Sequence, residues 1–259
     1  MTLSQANRAV ILRTRPYGES DKIVTFLSED AGKLTGIAKG ARNSRRRFAN
    51  CLDPFTVVRV HFRVRPGAGL VFMETCDLLA TAQALIEPAK FAYGSYLVEL
   101  TDQLTAEGQP VPELYHLLVE ALELLRQGPA TAAFLRAFEL RLLYYAGYEP
   151  QLQECARCHG ALAKHAGVFV DPVHSGLMCP QCRAAHESLL PITHQTLGLL
   201  AALQQRPLAE ARGRRFPAAE AAEAAQLMSR LLAWHLPRPL RSVKLIAALR
   251  APHPSVSGL

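Results

Sequence analysis

Apolar and polar positions follow a period of two through much of the first eighty residues, and after Pro88 they switch to spacings of three and four. Five runs carry the first pattern: Asn7–Arg13, Ile23–Ser28, Lys33–Lys39, Phe55–Val64 and Leu70–Thr75. They are separated by turn signals at Tyr17-Gly18, Ala31-Gly32, Gly40 and Pro66-Gly67, so the N-terminal third is expected to be a small five-stranded barrel. In the fourth run the alternation assigns Val58, Val60, Phe62 and Val64 to a core face. Val57, Arg59, His61, Arg63 and Arg65 fall on the opposite, largely basic face.

The second pattern predicts helices at Lys90–Leu104, Val111–Arg126 and Ala130–Ala146, and again at Thr193–Gln204, Ala218–Leu236 and Leu240–Leu249. Gly108-Gln-Pro110 and Gly128-Pro129 break the first three apart. The expected class is α+β: a barrel over residues 1–80, a helical domain over 81–150 and 190–250, and a cysteine-bearing module over 151–189 inserted into it.

That module holds two CxxC pairs, Cys155/Cys158 and Cys179/Cys182, with 20 residues between them. This spacing lets two turns close on one tetrahedral zinc ion. Four thiolates fill the coordination shell, so the site reads as structural, with no open position for an activated water. Gly160 and Gly176 flank the pairs where a knuckle turn is expected to need a positive φ. His159, His165, His174 and His186 lie nearby and read as surface residues, while Cys51 and Cys76 stand alone and read as buried or incidental thiols.

The composition, 49% hydrophobic over 259 residues, supports packed cores. No apolar run reaches membrane-spanning length, the first eight residues lack a secretory layout, and the cysteines suit a reducing compartment. A soluble cytoplasmic protein is expected. The net charge of +7 is unevenly spread: residues 1–87 carry 13 Lys or Arg against 8 acids, 88–150 carry 4 against 8, and 190–259 carry 9 against 3. Between residues 33 and 65 there are nine basic residues (Lys33, Lys39, Arg42, Arg45, Arg46, Arg47, Arg59, Arg63 and Arg65) and one acid, Asp53. Such a density would repel itself without an anionic partner, which points to nucleic acid. Tyr17, Phe48 and His61 are the few aromatic rings that could stack on bases, each of which packing explains equally well, so backbone contact is expected to dominate over base readout. No Walker loop, GxSxG, HExxH or GxGxxG occurs, and the barrel's acids are scattered, so no enzymatic activity is expected.

Four stretches together resemble the bacterial recombination mediator family RecO: Val10-Ile-Leu-Arg-Thr-Arg-Pro-Tyr-Gly-Glu-Ser-Asp-Lys-Ile-Val24, Gly32-Lys-Leu-Thr-Gly-Ile-Ala-Lys-Gly-Ala-Arg42, Leu142-Leu-Tyr-Tyr-Ala-Gly-Tyr-Glu-Pro150 and Arg238-Pro-Leu-Arg-Ser242. They occur in order along nearly the whole chain, with the cysteine module between helices. The resemblance implies that the barrel is an oligonucleotide-binding (OB) fold. It also implies binding of single- and double-stranded DNA, annealing of complementary strands and, with RecR, loading of RecA onto DNA covered by single-strand-binding protein (SSB), at the nucleoid. Some members of that family lack the cysteines, whereas all four are present here. The participation of RecF is left open. An acidic, apolar SSB tail would suit Arg136 and Arg141 beside Phe134, Phe138 and Leu142, a set that core packing explains equally well. The other readings of the residues are an RNA-binding accessory factor of transcription or translation, a zinc-dependent repair enzyme with an open metal position, and a scaffold for an acidic protein.

Overall fold

The computed structural model describes residues 4–64, 69–171, 176–183, 189–204 and 206–250. The chain forms two compact units, one of residues 1–129 with 240–259 and the other of residues 130–239.

In the first unit, β1 (Ser4–Tyr17), β2 (Asp21–Ser28), β3 (Gly32–Ala38), β4 (Val57–Arg63) and β5 (Val71–Ala80) close a barrel in the order β1-β2-β3-β5-β4. A single long strand can serve two neighbours because β1 breaks register between Ile11 and Arg13. Its first half pairs with β4, and the part beyond Ala9 pairs with β2. Closure depends on the parallel pairing of β3 with β5. There a Cβ on Gly36 would lie 2.9 Å from the Met73 Cγ, so only glycine admits this approach. Ile11, Val24, Phe26, Val58, Val60, Phe62 and Met73 fill the interior, with the rings of Phe26 and Phe62 5.8 Å apart.

The alternation along β4 holds for Val58, Val60 and Phe62, all buried, and for Arg59 and Arg63, both exposed. It fails at both ends. Val57, assigned outward, is buried because the β4–β5 register shifts between Val57 and Val58; Val64, assigned inward, lies past the strand end and is exposed.

Two helices follow, α1 (Pro88–Leu104) and α2 (Pro112–Gln127), each opened by a proline at its first turn, where the missing N–H costs nothing. The last helix, α7 (Ser242–Arg250), belongs to this unit and packs on α1. Its N-terminus is capped from afar: the Glu99 carboxylate accepts from the backbone N–H of Arg241 (3.0 Å) and of Ser242 (2.8 Å) and from the Ser242 hydroxyl (2.6 Å). The helices expected to form one domain are thus divided, with α1, α2 and α7 grouped with the barrel.

The second unit is built around α3 (Ala132–Tyr145), which buries residues on every face from Ala133 to Leu143 and is capped by Thr131, whose Oγ1 accepts from the Phe134 N–H at 3.2 Å. A four-stranded sheet follows, formed by β6 (Gln151–Cys155), β7 (Val168–Asp171), β8 (Gly176–Met178) and β9 (Pro191–Ile192) in the order β6-β8-β7-β9. The helices α4 (His194–Gln204), α5 (Leu208–Arg212) and α6 (Ala218–His235) then pack on α3. The five-residue α5 was not anticipated, because so short an element shows no full period. Among the described residues no helix is long and apolar enough to cross a membrane.

Candidate nucleic-acid interface and metal centre

The basic residues of 33–65 separate into a group without an acidic ion-pair partner among the described residues, on a loop, and a group with acidic neighbours, on the strands. The first group lies on the connection between β3 and β4. Lys39, Arg42, Arg45, Arg46 and Arg47 are all exposed, and none makes an ion pair with an acid among the described residues. The loop that carries them is nonetheless held firmly. Asp21 Oδ1 accepts from the Gly40 N–H (2.8 Å), Ser20 O accepts from the Arg42 N–H (2.9 Å), and Arg47 O accepts from the Cys76 N–H (2.9 Å). Arg42 Nη1 donates to Glu19 O at 2.9 Å and Arg47 Nη2 to Lys39 O at 2.7 Å; these carbonyls orient the guanidinium groups without cancelling their charge. Phe48, a candidate for base stacking, is instead buried in the barrel core, and Arg47 lies over its ring at 5.2 Å. Tyr17 is the exposed ring of the three candidates.

The group with acidic neighbours lies on the strands. Arg63 pairs with Glu74, whose carboxylate also accepts from Ser4 Oγ at 2.7 Å; those two hydrogen bonds hold Glu74 below the usual carboxylate range. His61 Nε2 lies 3.1 Å from Asp77 Oδ2, and Arg59 sits opposite Asp77 in the β4–β5 ladder and opposite Arg8 in the β1–β4 ladder. Lys33 points away from any external anion: its side chain is only 12% exposed and its Nζ lies 3.5 Å from Asp102 Oδ1 on α1, the carboxylate that also pairs with Arg13. Arg65 lies outside the described residues. Counting acids along residues 33–65 missed Glu74, Asp77 and Asp102, which the topology brings alongside from other elements.

The two lone cysteines meet beneath this loop. Cys51 Sγ donates to Cys76 O at 3.2 Å and both side chains are buried; the neighbouring Cys51 side chain, and then burial, push the Cys76 thiol up.

In the second unit the four sulfur atoms of Cys155, Cys158, Cys179 and Cys182 all lie within 4.8 Å of one another, with 3.9 Å between those of Cys158 and Cys179. A tetrahedral centre with metal–sulfur bonds of about 2.3 Å separates its ligands by about 3.8 Å, so the donor set fits a metal such as zinc. Burial raises the Cys155 pKa, but the backbone N–H groups of Cys158, Cys179 and Arg157 aim at its sulfur and bring it down to about 6. Cys182, hydrogen-bonded to Cys158 and Cys179, is pushed up to about 12. Thiolates are the metal-binding form, so a divalent cation bound here would displace the thiol protons. The turns are built differently from expectation. At the first pair His159, at φ 58, takes the left-handed position and Gly160 does not. Arg157 ties the two turns together through Asp171 Oδ2 and Cys182 O, both at 3.0 Å. His174 and His186 lie outside the described residues.

Two family models tile this chain: Recombination protein O N terminal over residues 1–82, covering the barrel, and Recombination protein O C terminal over residues 87–244. The chain belongs to the RecO family. It is 38% identical over 233 residues to the DNA repair protein RecO of Anaeromyxobacter sp. (strain Fw109-5), an alignment spanning 89% of this chain and 91% of the relative. To that of Myxococcus xanthus (strain DK1622) it is 37% identical over 242 residues, spanning 92% and 95%. To that of Syntrophus aciditrophicus (strain SB) it is 32% identical over 239 residues, spanning 91% and 92%. The five-stranded barrel of this RecO-family chain is accordingly an OB fold.

The expected tail-binding pair on α3 is not assembled as an open groove. Arg136 is 8% exposed and pairs with the fully buried Glu139, and Phe134, Phe138 and Leu142 are spent in the core of the second unit. Arg141 is half-buried. Of the two readings of this set, core packing is the one the fold adopts, because α3 is the central helix and buries nearly all of its faces.

Proposed function

We propose that this chain is a DNA-repair recombination mediator. In this reading it binds single- and double-stranded DNA, anneals complementary strands and, with RecR, helps load RecA on SSB-coated DNA at the nucleoid. RecF is not required by the reading. The observation that carries it is the loop of five exposed cations, Lys39, Arg42, Arg45, Arg46 and Arg47, held on an OB barrel of the RecO family and making no ion pair with an acid among the described residues.

Annealing requires no reacting atom. Two strands repel through their phosphates, and a surface that neutralises both lets complementary bases meet, with pairing as the driving force. Salt-dependent contacts to phosphate from Arg42, Arg45, Arg46 and Arg47 supply affinity without sequence information. The strand residues Arg59 and Arg63 contribute less, because Asp77 and Glu74 lie beside them. Lys33 contributes nothing directly.

The cysteine cluster holds one structural zinc ion in this account. Its role is to brace a small sheet whose strands are only two to five residues long and have little core of their own. With four protein ligands it supplies no open coordination position for catalysis.

Matched single-stranded DNA and RNA competing for the protein, followed by an annealing assay with two complementary DNA strands, test the reading. Strong DNA binding with accelerated annealing is expected. Preference for RNA with no annealing would replace it with an RNA-binding accessory role.

A further inference from the structure

The loop that carries the free cations also walls a cavity of about 490 Å³, a volume within the range of small-ligand sites. Lys22, Arg42 and Arg45 line it, together with Asn50 and Asp53, over a floor that includes the buried Phe48. The walls are fixed before any ligand arrives. Leu52 O accepts from Thr14 Oγ1 at 2.6 Å, Phe55 N–H donates to Ile11 O at 3.0 Å, and Arg42 is held on Ser20 and Glu19.

Asp53 is the feature that phosphate binding does not explain. It is the one acid among the nine cations of residues 33–65, and it repels the phosphates that those cations attract. Its carboxylate makes no hydrogen bond and no ion pair among the described residues, although three cations share its cavity. Asn50 has a backbone reason to be asparagine, since it sits at φ 55, where asparagine is tolerated. Asp53 opens a turn before Pro54, its carbonyl accepting from the Thr56 N–H at 3.3 Å, a position that favours a short polar side chain; the turn accounts for that side chain's size but not for the negative charge it exposes among cations.

A free carboxylate flanked by cations complements a group that carries donors next to a phosphate. We propose that this cavity takes one unstacked guanine of a single DNA strand, with Asp53 accepting from its N1–H and N2–H while Lys22, Arg42 and Arg45 hold the adjoining phosphates. Guanine is the base whose Watson–Crick edge offers two adjacent donors to one carboxylate, and such edges are available in single strands. The inference rests on the DNA-binding reading above and deepens it: a backbone-binding surface gains one base-selective position.

The test uses the full chain and fluorescence anisotropy with an oligothymidine strand, the same strand with one central guanine, and the same strand with hypoxanthine in place of that guanine. The guanine strand is expected to bind about tenfold more tightly than plain oligothymidine. At about 1.4 kcal/mol per factor of ten, that lies toward the lower end of a bidentate base contact. Hypoxanthine, lacking the N2 amine, is expected to lose most of the gain. Asp53→Asn should abolish the preference while leaving oligothymidine binding unchanged or tighter, because a charge that repels phosphate has gone. Equal binding of all three strands by the wild-type protein, or a guanine preference that survives Asp53→Asn, overturns the proposal. Free dGMP at millimolar concentration should leave oligothymidine bound. Displacement by it would make the cavity a free-nucleotide site and overturn the assignment to a strand. Failure of the DNA-binding reading is a separate result, in which oligothymidine itself does not bind.

Discussion

Neutralising two loop arginines, Arg45→Ala with Arg46→Ala, should weaken DNA binding in a way that salt exposes quantitatively. Among the described residues five cations on the loop make no ion pair with an acid: Lys39, Arg42, Arg45, Arg46 and Arg47. If each meets one phosphate of a single strand, the slope of log K against log salt is about −3.5, at about 0.7 per phosphate. Raising salt fourfold then lowers affinity about 100-fold. Removing two contacts reduces the slope to about −2.1, so the same rise in salt costs about 20-fold. Arg47 is left in place because it bonds Lys39 O and covers Phe48, and its loss would disturb the loop itself. Stability should be unchanged within about 0.5 kcal/mol, since both altered side chains are exposed and unpaired. Anisotropy titrations at several salt concentrations, with urea unfolding as the control, make the measurement. An unchanged slope in a folded variant would refute the assignment of these arginines to phosphates.

Glu74→Gln should tighten single-strand binding and steepen the salt slope by up to about 0.7, because Arg63 is released to a phosphate; a weaker complex would show that the pair shapes the site instead. Phe62→Ala should cost about 3–5 kcal/mol in urea unfolding through a cavity beside Phe26, whereas Arg59→Ala should cost little; the reverse ranking would mean that β4 is slipped by one residue. Cys158→Ser or Cys179→Ser should lower bound zinc from about one per chain and depress the thermal midpoint, and elemental analysis that finds no zinc in reduced wild-type protein would remove the metal. Burial works to raise the Glu223 pKa, but hydrogen bonds from Thr193 and Thr196 outweigh it and hold the carboxyl below its usual range. Its contribution is therefore present above the unfolded pKa and is lost as pH falls through the folded one. The stability advantage of wild type over Glu223→Gln should shrink below about pH 4, and a constant difference across that range would contradict the role.

The local signals in the chain were legible where neighbours along the sequence decide the outcome. Period-two alternation placed Val58, Val60 and Phe62 inside the barrel, and the two CxxC pairs foretold a sulfur cluster. What could not be read depends on non-local pairing. The stripe on β4 looks uniformly basic until β5 brings Glu74 and Asp77 beside it, and Lys33 looks free until α1 supplies Asp102. Phe48 follows three arginines and reads equally as a stacking ring or a packed one; the loop folds it into the core. At the first metal turn a histidine, not Gly160, adopts the left-handed conformation, which spacing alone cannot distinguish. The helical periods were clear, yet periodicity does not say which compact unit a helix joins, and α7 returns across the chain to the Glu99 carboxylate.

Annealing of complementary DNA strands coated with SSB, followed with wild-type protein and with the Arg45→Ala, Arg46→Ala variant, tests the central claim most directly. A mediator that works through the loop cations should speed annealing of the coated strands, and the folded double variant should be markedly slower at moderate salt. No acceleration by the wild-type protein on coated or bare strands, or equal acceleration by the variant, would contradict the account.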